Sequence, residues 1–523
     1  MAGSIASFFR VWRIARTLAR HDALFPREYM ALMPPRLRML RSVLGSGRGR
    51  HQTGTPGERL ARALESLGPA HIKLGQVLAT RSDIVGREVA GALEGLQDRL
   101  PPFPRVKAKE QVALAFGRPV EELFSKFGEP VAAASIAQVH EAETAEIPPR
   151  RVAVKILRPG IEAEFARDLS TLAFAARMAE RFSPEARRLR LSALIRTFAA
   201  STALELDLRM EAAAAAELGE RMQSDAAFRV PEVDWARTAE RVLTTEWIDG
   251  VPIRDVAALR AAGHDPKDVA LILMRTFLTQ VLREGFFHAD LHPGNLFIDA
   301  EGRLVAVDFG IMGRIDPPMR RFMAETIAGF LARDYVRVAQ VHFDAGFVPS
   351  HYPVETFAQA LRAIGEPIFG HPAREMSMAR LLQQLFDTTR RFDMRAQPQL
   401  LLLQKTMMVV EGVARSLDPE FDIWEASRPV VERWMLDRFN PETRLREVSE
   451  GVSALTRAAQ QIPAFLRNTG VISVMLAEGG LRLHPDSARQ IAEAQLHHTR
   501  FTRATLWVMA VIAGVAAIVW RFV

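Results

Sequence analysis

Residues 286–310 read FFHADLHPGNLFIDAEGRLVAVDFG, and three polar side chains in this stretch decide the fold. Asp290 precedes Asn295 by five residues, and Asp308 follows beyond a hairpin-like segment. Short apolar runs at 296–298 and 303–307 flank a turn at 299–302. Phosphoryl transfer needs a carboxylate beside the attacking hydroxyl, an amide oxygen on one Mg2+, and a second carboxylate bridging the metals. Asp290, Asn295 and Asp308 supply those groups in the order and spacing of kinase-like enzymes. The surrounding HxDxHPGN is closer to small-molecule phosphotransferases than to the HRD loop of protein kinases. His288 and His292 resemble metal ligands in isolation, but their expected role is to hold the loop by hydrogen bonds.

Working outward, VAVK at 152–155 matches the strand whose lysine grips the α- and β-phosphates, which makes Lys155 the second catalytic candidate beside Asp290. Its carboxylate partner should come from a following helix. Glu211 in LELDLRMEAAAA is the choice, with Glu205 and Asp207 one to two turns earlier on the same pattern. All three acids also suit a solvated helix face. The phosphate loop before Lys155 lacks the usual glycines and holds Ala132, Ala133, Ala134 and Ser135 instead. Glycine permits positive φ and close backbone approach to phosphates, so three Cβ atoms stiffen this loop and should alter nucleotide preference or suppress transfer. Glu246, at the end of RVLTTEW, is assigned to the nucleotide site with them. After Asp308 the chain reaches helical sequence within about ten residues and shows no A-P-E segment, so the platform for a peptide substrate is missing.

The periodicity is helical over 58–125 with a break at 101–104, strand-like over 130–140 and 151–157, and helical again over 161–182 and 192–220. A strand at 241–247 precedes a largely helical remainder. The expected class is α+β: a bilobal, kinase-like fold with an N-terminal helical extension and a C-terminal transmembrane helix. Its segments are 1–50 (basic, membrane-associating), 51–125 (helical extension), 126–250 (N-lobe), 251–440 (C-lobe), 441–503 (helical extension) and 504–521 (membrane helix).

Composition supports the two ends of this scheme. The 523 residues include no cysteine, which excludes disulfides, thiolate metal sites and cysteine nucleophiles. The net charge of +7 looks like a nucleic-acid signature until it is located. Residues 1–50 hold ten Arg, one Asp and one Glu, a balance of +8, whereas residues 51–496 are −4. In SIASFFRVWRIARTLARH at 4–21, Arg10, Arg13, Arg16 and Arg20 fall within about 120° of helical arc, opposite an aromatic-rich apolar arc. That pattern suits a helix in the headgroup plane of anionic lipids; an ordinary helix packed on the body and a transit peptide are the alternatives. ATLWVMAVIAGVAAIVW at 504–520 is uncharged and flanked by Arg500, Arg503 and Arg521, at the short limit for a membrane span. A buried terminal helix is its alternative. Ala510 and Gly514 form a small-xxx-small pair that suits packing of a second helix. The basic ends therefore point to anionic membrane lipids and away from nucleic acid.

These residues resemble the UbiB family of atypical protein-kinase-like proteins, which is associated with ubiquinone biosynthesis. The likeness spans roughly 58–438. Its marks are KLGQ at 73–76, AAASIAQVH at 132–140, ExD at 205–207, HADLHPGN at 288–295 and PQLLLLQKTMMVVEGVAR at 398–415. The resemblance implies that Lys73, Gly75 and Gln76 sit on a helical extension covering the nucleotide cleft, where they contact Glu205 and Asp207 and restrain protein kinase activity. It implies ATP or ADP with Mg2+ as cofactors, and ATPase turnover stimulated by anionic membranes and phenolic compounds. It also implies polyprenyl-phenol ubiquinone precursors and other ubiquinone-biosynthesis enzymes as partners, a homodimer, and a bacterial inner-membrane location with the catalytic body on the cytoplasmic side. Family members often end in two membrane spans, whereas this sequence shows one. The expected function is a membrane-anchored ATPase that extracts or presents such intermediates. A kinase acting on a lipid or partner protein, and a nucleotide-sensing scaffold, are the alternatives.

Overall fold

The structure, a computed structural model, describes residues 2–24, 53–79, 85–96, 101–182, 187, 190–370, 388, 391–394 and 398–439. The segments read as 441–503 and 504–521 lie outside them. Helices α1 (Ala2–Arg20), α2 (Pro56–Leu67), α3 (Pro69–Ala79), α4 (Arg87–Glu94) and α5 (Arg105–Phe116) come first. Strands β1 (Phe124–Ala133), β2 (Ala137–Thr144) and β3 (Arg151–Leu157) lead into α6 (Ile161–Phe182), α7 (Leu191–Glu205) and α8 (Leu208–Arg221). Then come β4 (Phe228–Arg229), β5 (Val242–Glu246), β6 (Val251–Pro252), α9 (Val256–Ala261) and α10 (Pro266–Leu278). A π-helical turn at Thr279–Glu284 precedes β7 (Phe286–His288), β8 (Leu296–Ile298), β9 (Leu304–Ala306) and β10 (Met312–Arg314). Helices α11 (Pro317–Leu331), α12 (Tyr335–Asp344), α13 (Val354–Gly370), α14 (Pro398–Leu417) and α15 (Ile423–Phe439) complete the described chain.

The N-lobe sheet runs β1-β2-β3-β5, antiparallel throughout. Alternation along β3 sends Val152, Val154 and Ile156 into a core shared with Ala108 and Val112 of α5. Lys155, one residue out of phase, meets α8 on the other face of the sheet. In the C-lobe, α10 is buried along most of its length and packs with α14 beneath the β8–β9 hairpin. Local chemistry sets the element starts. Thr55 and Glu58 form a reciprocal capping box ahead of Pro56, and Asp265 and Asp316 cap α10 and α11, each followed by proline at the first helical position.

Three expectations change. The helical pattern at 192–220 is two helices, because Leu206 leaves the helix and Asp207 caps a new one through the Arg209 N–H. The strand expected at 130–140 is instead the end of β1, a turn and the start of β2. Strands β6, β7 and β10 interrupt what reads as helical sequence; β7 pairs with β10 through His288 and Met312. The helix at 161–182 and the 296–306 hairpin stand where the pattern puts them.

Helix α1 packs on α2 and α6. Arg59 and Asp22 are wholly buried at this junction, 3.7 Å apart, and Arg59 also donates to the Asp22 and Gly54 carbonyls. The outward stripe of α1 carries Phe9, Trp12, Arg13, Arg16 and Arg20. Phe9 falls on the basic side of the helical arc in sequence and is exposed there, and Trp12, expected on the apolar arc, is exposed beside it. Val11, Ile14 and Leu18 of that apolar arc are partly buried. Among the described residues no helix is long and apolar enough to cross a membrane.

Candidate active site

Lys155 is held by β3, where it sits between Val139 of β2 and Leu243 of β5. Its Nζ lies 2.7 and 2.9 Å from the Glu211 oxygens and 2.9 Å from Asp308 Oδ1. One ammonium thus serves two carboxylates, one from α8 and one from the segment after β9. Burial opposes the lysine's charge, but Asp308 and Glu211 outweigh it and raise its pKa. Lys155 in turn holds the Asp308 carboxyl well below the usual carboxylate range. Burial pushes Glu211 up to about 7 against the pull of the same lysine. Asp308 adopts φ +65°, a left-handed conformation costly for a residue with a Cβ. The following Phe309 is buried with its ring 5.3 Å from the His288 ring.

The loop after β7 is held from within. His288 is fully buried; its backbone N–H donates to Gln280 Oε1 of the π-helical turn. Its Nε2 faces the Val307 carbonyl at 3.3 Å and its Nδ1 accepts the Asp290 N–H at 3.1 Å. His292 Nδ1 accepts the Gly294 N–H. Both histidines therefore fasten the loop, as their residue types suggested. Asn295 donates Nδ2 to the Asp290 carbonyl, which leaves its amide oxygen for another partner. Helix α14 adds a brace absent from the sequence reading: Thr406 Oγ1 lies 3.1 Å from the Ala289 carbonyl, next to Asp290. Its only signal in sequence is a polar residue in a buried apolar stripe.

The Asn295 amide oxygen and the second Asp308 oxygen are hard donors of the kind Mg2+ takes, and the Asp308 side chain is 47% exposed. Among the described residues no group of three His, Asp or Glu side chains forms a metal cage. Mg2+ held by one or two protein oxygens plus phosphates needs none, so the donor set fits.

The other candidates divide. Lys73 of α3 pairs with Glu205 at the end of α7, 3.0 Å away, and its charge reaches Asp308. Asp207 instead caps α8 and is gripped by Arg209. Gly75 is required by space: a Cβ there would lie 2.4 Å from Leu96 Cδ1 and 2.8 Å from Leu64 Cδ1. Gln76 follows on α3, half-buried. Ala132 and Ala133 end β1 opposite Val139 and Gln138, while Ala134 and Ser135 form the turn. Ser135 is buried and its hydroxyl has no partner among the described residues. The Glu246 carboxylate accepts from Arg229 Nη1 and the Glu232 N–H, so this side chain ties the end of β5 to β4.

Four buried histidines, His71, His140, His288 and His342, are held below their ordinary 6.5 by burial. In the unfolded chain they take protons near pH 6.5, while the folded rings resist until lower pH. The unfolded state then binds more protons in that window, so stability falls on acidification below 6.5 and is full above it. Glu211, raised to about 7, acts in the opposite sense, because its folded carboxyl takes a proton before the unfolded one. The thermal midpoint should be lower at pH 5.5 than at pH 7.5; an equal or higher midpoint at pH 5.5 contradicts this balance.

The sequence profile of the ABC1 atypical kinase-like domain matches residues 95–342, and that of the UbiB helical domain matches 361–422. A relative from Azotobacter vinelandii, described as a probable protein kinase UbiB, is 42% identical over 77% of this chain and 75% of its own. Relatives bearing the same description are 39% identical in Marinobacter nauticus, over 79% of this chain and 76% of theirs, and in Xanthomonas axonopodis pv. citri, over 87% and 84%.

Proposed function

We propose, from the premise that this chain belongs to the UbiB family of atypical kinase-like proteins, that it is a membrane-anchored, Mg2+-dependent ATPase serving ubiquinone biosynthesis. The observation that carries the reading is Lys155 bonded at once to Glu211 and Asp308, beside a loop that presents Asp290 and Asn295. In this reading Lys155 holds the α- and β-phosphates of ATP and Glu211 keeps Lys155 in place. Asn295 and Asp308 hold Mg2+, which neutralises charge on the phosphate oxygens. Asp290 orients a water whose oxygen attacks the γ-phosphorus as the bond to the β-phosphate oxygen breaks, giving ADP and phosphate.

Two features favour water or a small acceptor over a peptide. Only Ile311 to Asp316 separate Gly310 from α11, and three of those residues pair with β7. Lys73, paired with Glu205 near Asp308, brings the helical extension to the cleft. The substrates of the wider process are polyprenyl-phenol intermediates, extracted from or presented at an anionic inner membrane to partner enzymes on the cytoplasmic side. The arginine-rich α1 stripe and the apolar run at 504–520 support the membrane contact, and nucleic acid has no part in it. The description of the relatives as probable protein kinases supplies the alternative: transfer to a lipid or protein acceptor by the same residues.

Replacing Ala132, Ala133 and Ala134 with glycine tests the loop. The variant should change the ratio of ATP to ADP affinity, or gain autophosphorylation, by about tenfold, because glycine lets the backbone close on phosphates. Equal affinities and no phosphoprotein in both forms would leave the alanines without a nucleotide role.

A further inference from the structure

The tip of the alanine-rich loop is fastened by residues outside the β1–β2 hairpin. Ala134 donates its N–H to the Ala137 carbonyl at 2.8 Å, which closes the turn on itself. The Ala134 carbonyl accepts two bonds from Arg158, Nε at 3.1 Å and Nη2 at 2.8 Å. The same Nη2 donates to the Pro101 carbonyl at 3.0 Å, and the guanidinium lies 5.8 Å from the centre of the Phe103 ring. Gln138, buried on β2, secures the other end: its amide accepts the Phe103 N–H at 2.9 Å and donates to the Phe103 carbonyl at 3.1 Å. Residues 101–104 read PPFP, and three fixed φ angles make this segment stiff.

We propose that Arg158 is a positioning residue of the nucleotide site: it bolts the 101–103 strap to the loop tip and thereby sets how fast nucleotide leaves. The proposal rests on the reading that Mg2+-nucleotide occupies the Lys155–Asp308 cleft. Alanine Cβ atoms stiffen the tip locally, and β2 is paired to β3 as far as Ala137. The tip beyond that ladder is the part left to bend, and Arg158 ties its Ala134 carbonyl to the 101–103 strap, which Gln138 holds from β2. Arg158 starts immediately beyond β3 and its own N–H bonds the Ile136 carbonyl, so the anchor shares the frame of Lys155. The guanidinium fork matters because it bridges two carbonyls at fixed spacing, which an ammonium does not reproduce. Gln138 within AAASIAQVH thereby has a use that the motif alone does not reveal.

The experiment uses the full-length chain and the fluorescent probe mant-ADP with Mg2+, displaced by excess ADP, alongside thermal midpoints without nucleotide. Charge-assisted bonds are the stronger class, so Arg158→Met should release the probe roughly tenfold faster than wild type. Arg158→Lys, chosen because it retains charge and most of the volume, should fall between the two. Gln138→Met should also release faster. A purely structural role would lower the midpoint without ordering the release rates in this way. Release at the wild-type rate, or slower, from folded Arg158→Lys and Arg158→Met overturns the proposal. If wild type itself binds no mant-ADP with Mg2+, the reading of the cleft fails and takes this proposal with it.

Discussion

Asp308→Asn is expected to lower ATP turnover of the purified full-length protein by about 100-fold or more while the fold is kept. The substitution is nearly isosteric but removes the charge that Mg2+ needs, and it frees Lys155 to pair with Glu211 alone. The loss should appear in kcat, because Mg2+ held by Asp308 would stabilise the charge that develops on the phosphate oxygens during transfer. Glu211→Gln should cost less, since that carboxylate acts through Lys155 and does not touch phosphate in the proposed arrangement. The measurement is steady-state phosphate release across Mg2+ concentrations. Turnover unchanged in Asp308→Asn would remove Asp308 from the chemistry and, with it, the enzymatic reading.

The second large effect is on stability. Arg59→Met should destabilise the docking of α1 by about 1–3 kcal/mol, because it removes the buried ion pair with Asp22 and the bond to the Asp22 carbonyl. Arg59 also donates to the Gly54 carbonyl, so the start of α2 loses a restraint at the same time. Limited proteolysis should cleave first near α1 in the variant and not in wild type. The double variant Asp22→Asn with Arg59→Met should recover part of the loss, since removing both charges is less costly than removing one. Wild-type protease resistance in Arg59→Met would mean that the buried pair contributes nothing to holding α1.

What was legible in the sequence was local. Asp290, Asn295 and Asp308 lie within 19 residues, and the turn chemistry of 299–302 closes the hairpin between them, so their convergence needed no distant partner. Lys155 was readable as a charge in an alternating apolar strand, and Glu211 as an acid at the start of a helix; the structure joins them. The break at Leu206 was hidden because apolar periodicity runs straight through LELDLRME. It is set by capping at Asp207 and by a tertiary bond from the Leu208 N–H to the Glu240 carbonyl. Strands β7 and β10 have three residues each, too few for alternation to show, and each exists through pairing with the other. Arg158 and Arg59 were invisible for a related reason. An arginine read by itself is taken as solvated, and carbonyl partners 24 and 57 residues away leave no pattern.

The most direct test of the central claim follows the γ-phosphate of labelled ATP in the purified full-length protein, with and without anionic vesicles. The account predicts label in free phosphate, dependent on Mg2+ and faster with vesicles. Label on a lipid or protein acceptor, or no turnover under either condition, would contradict it.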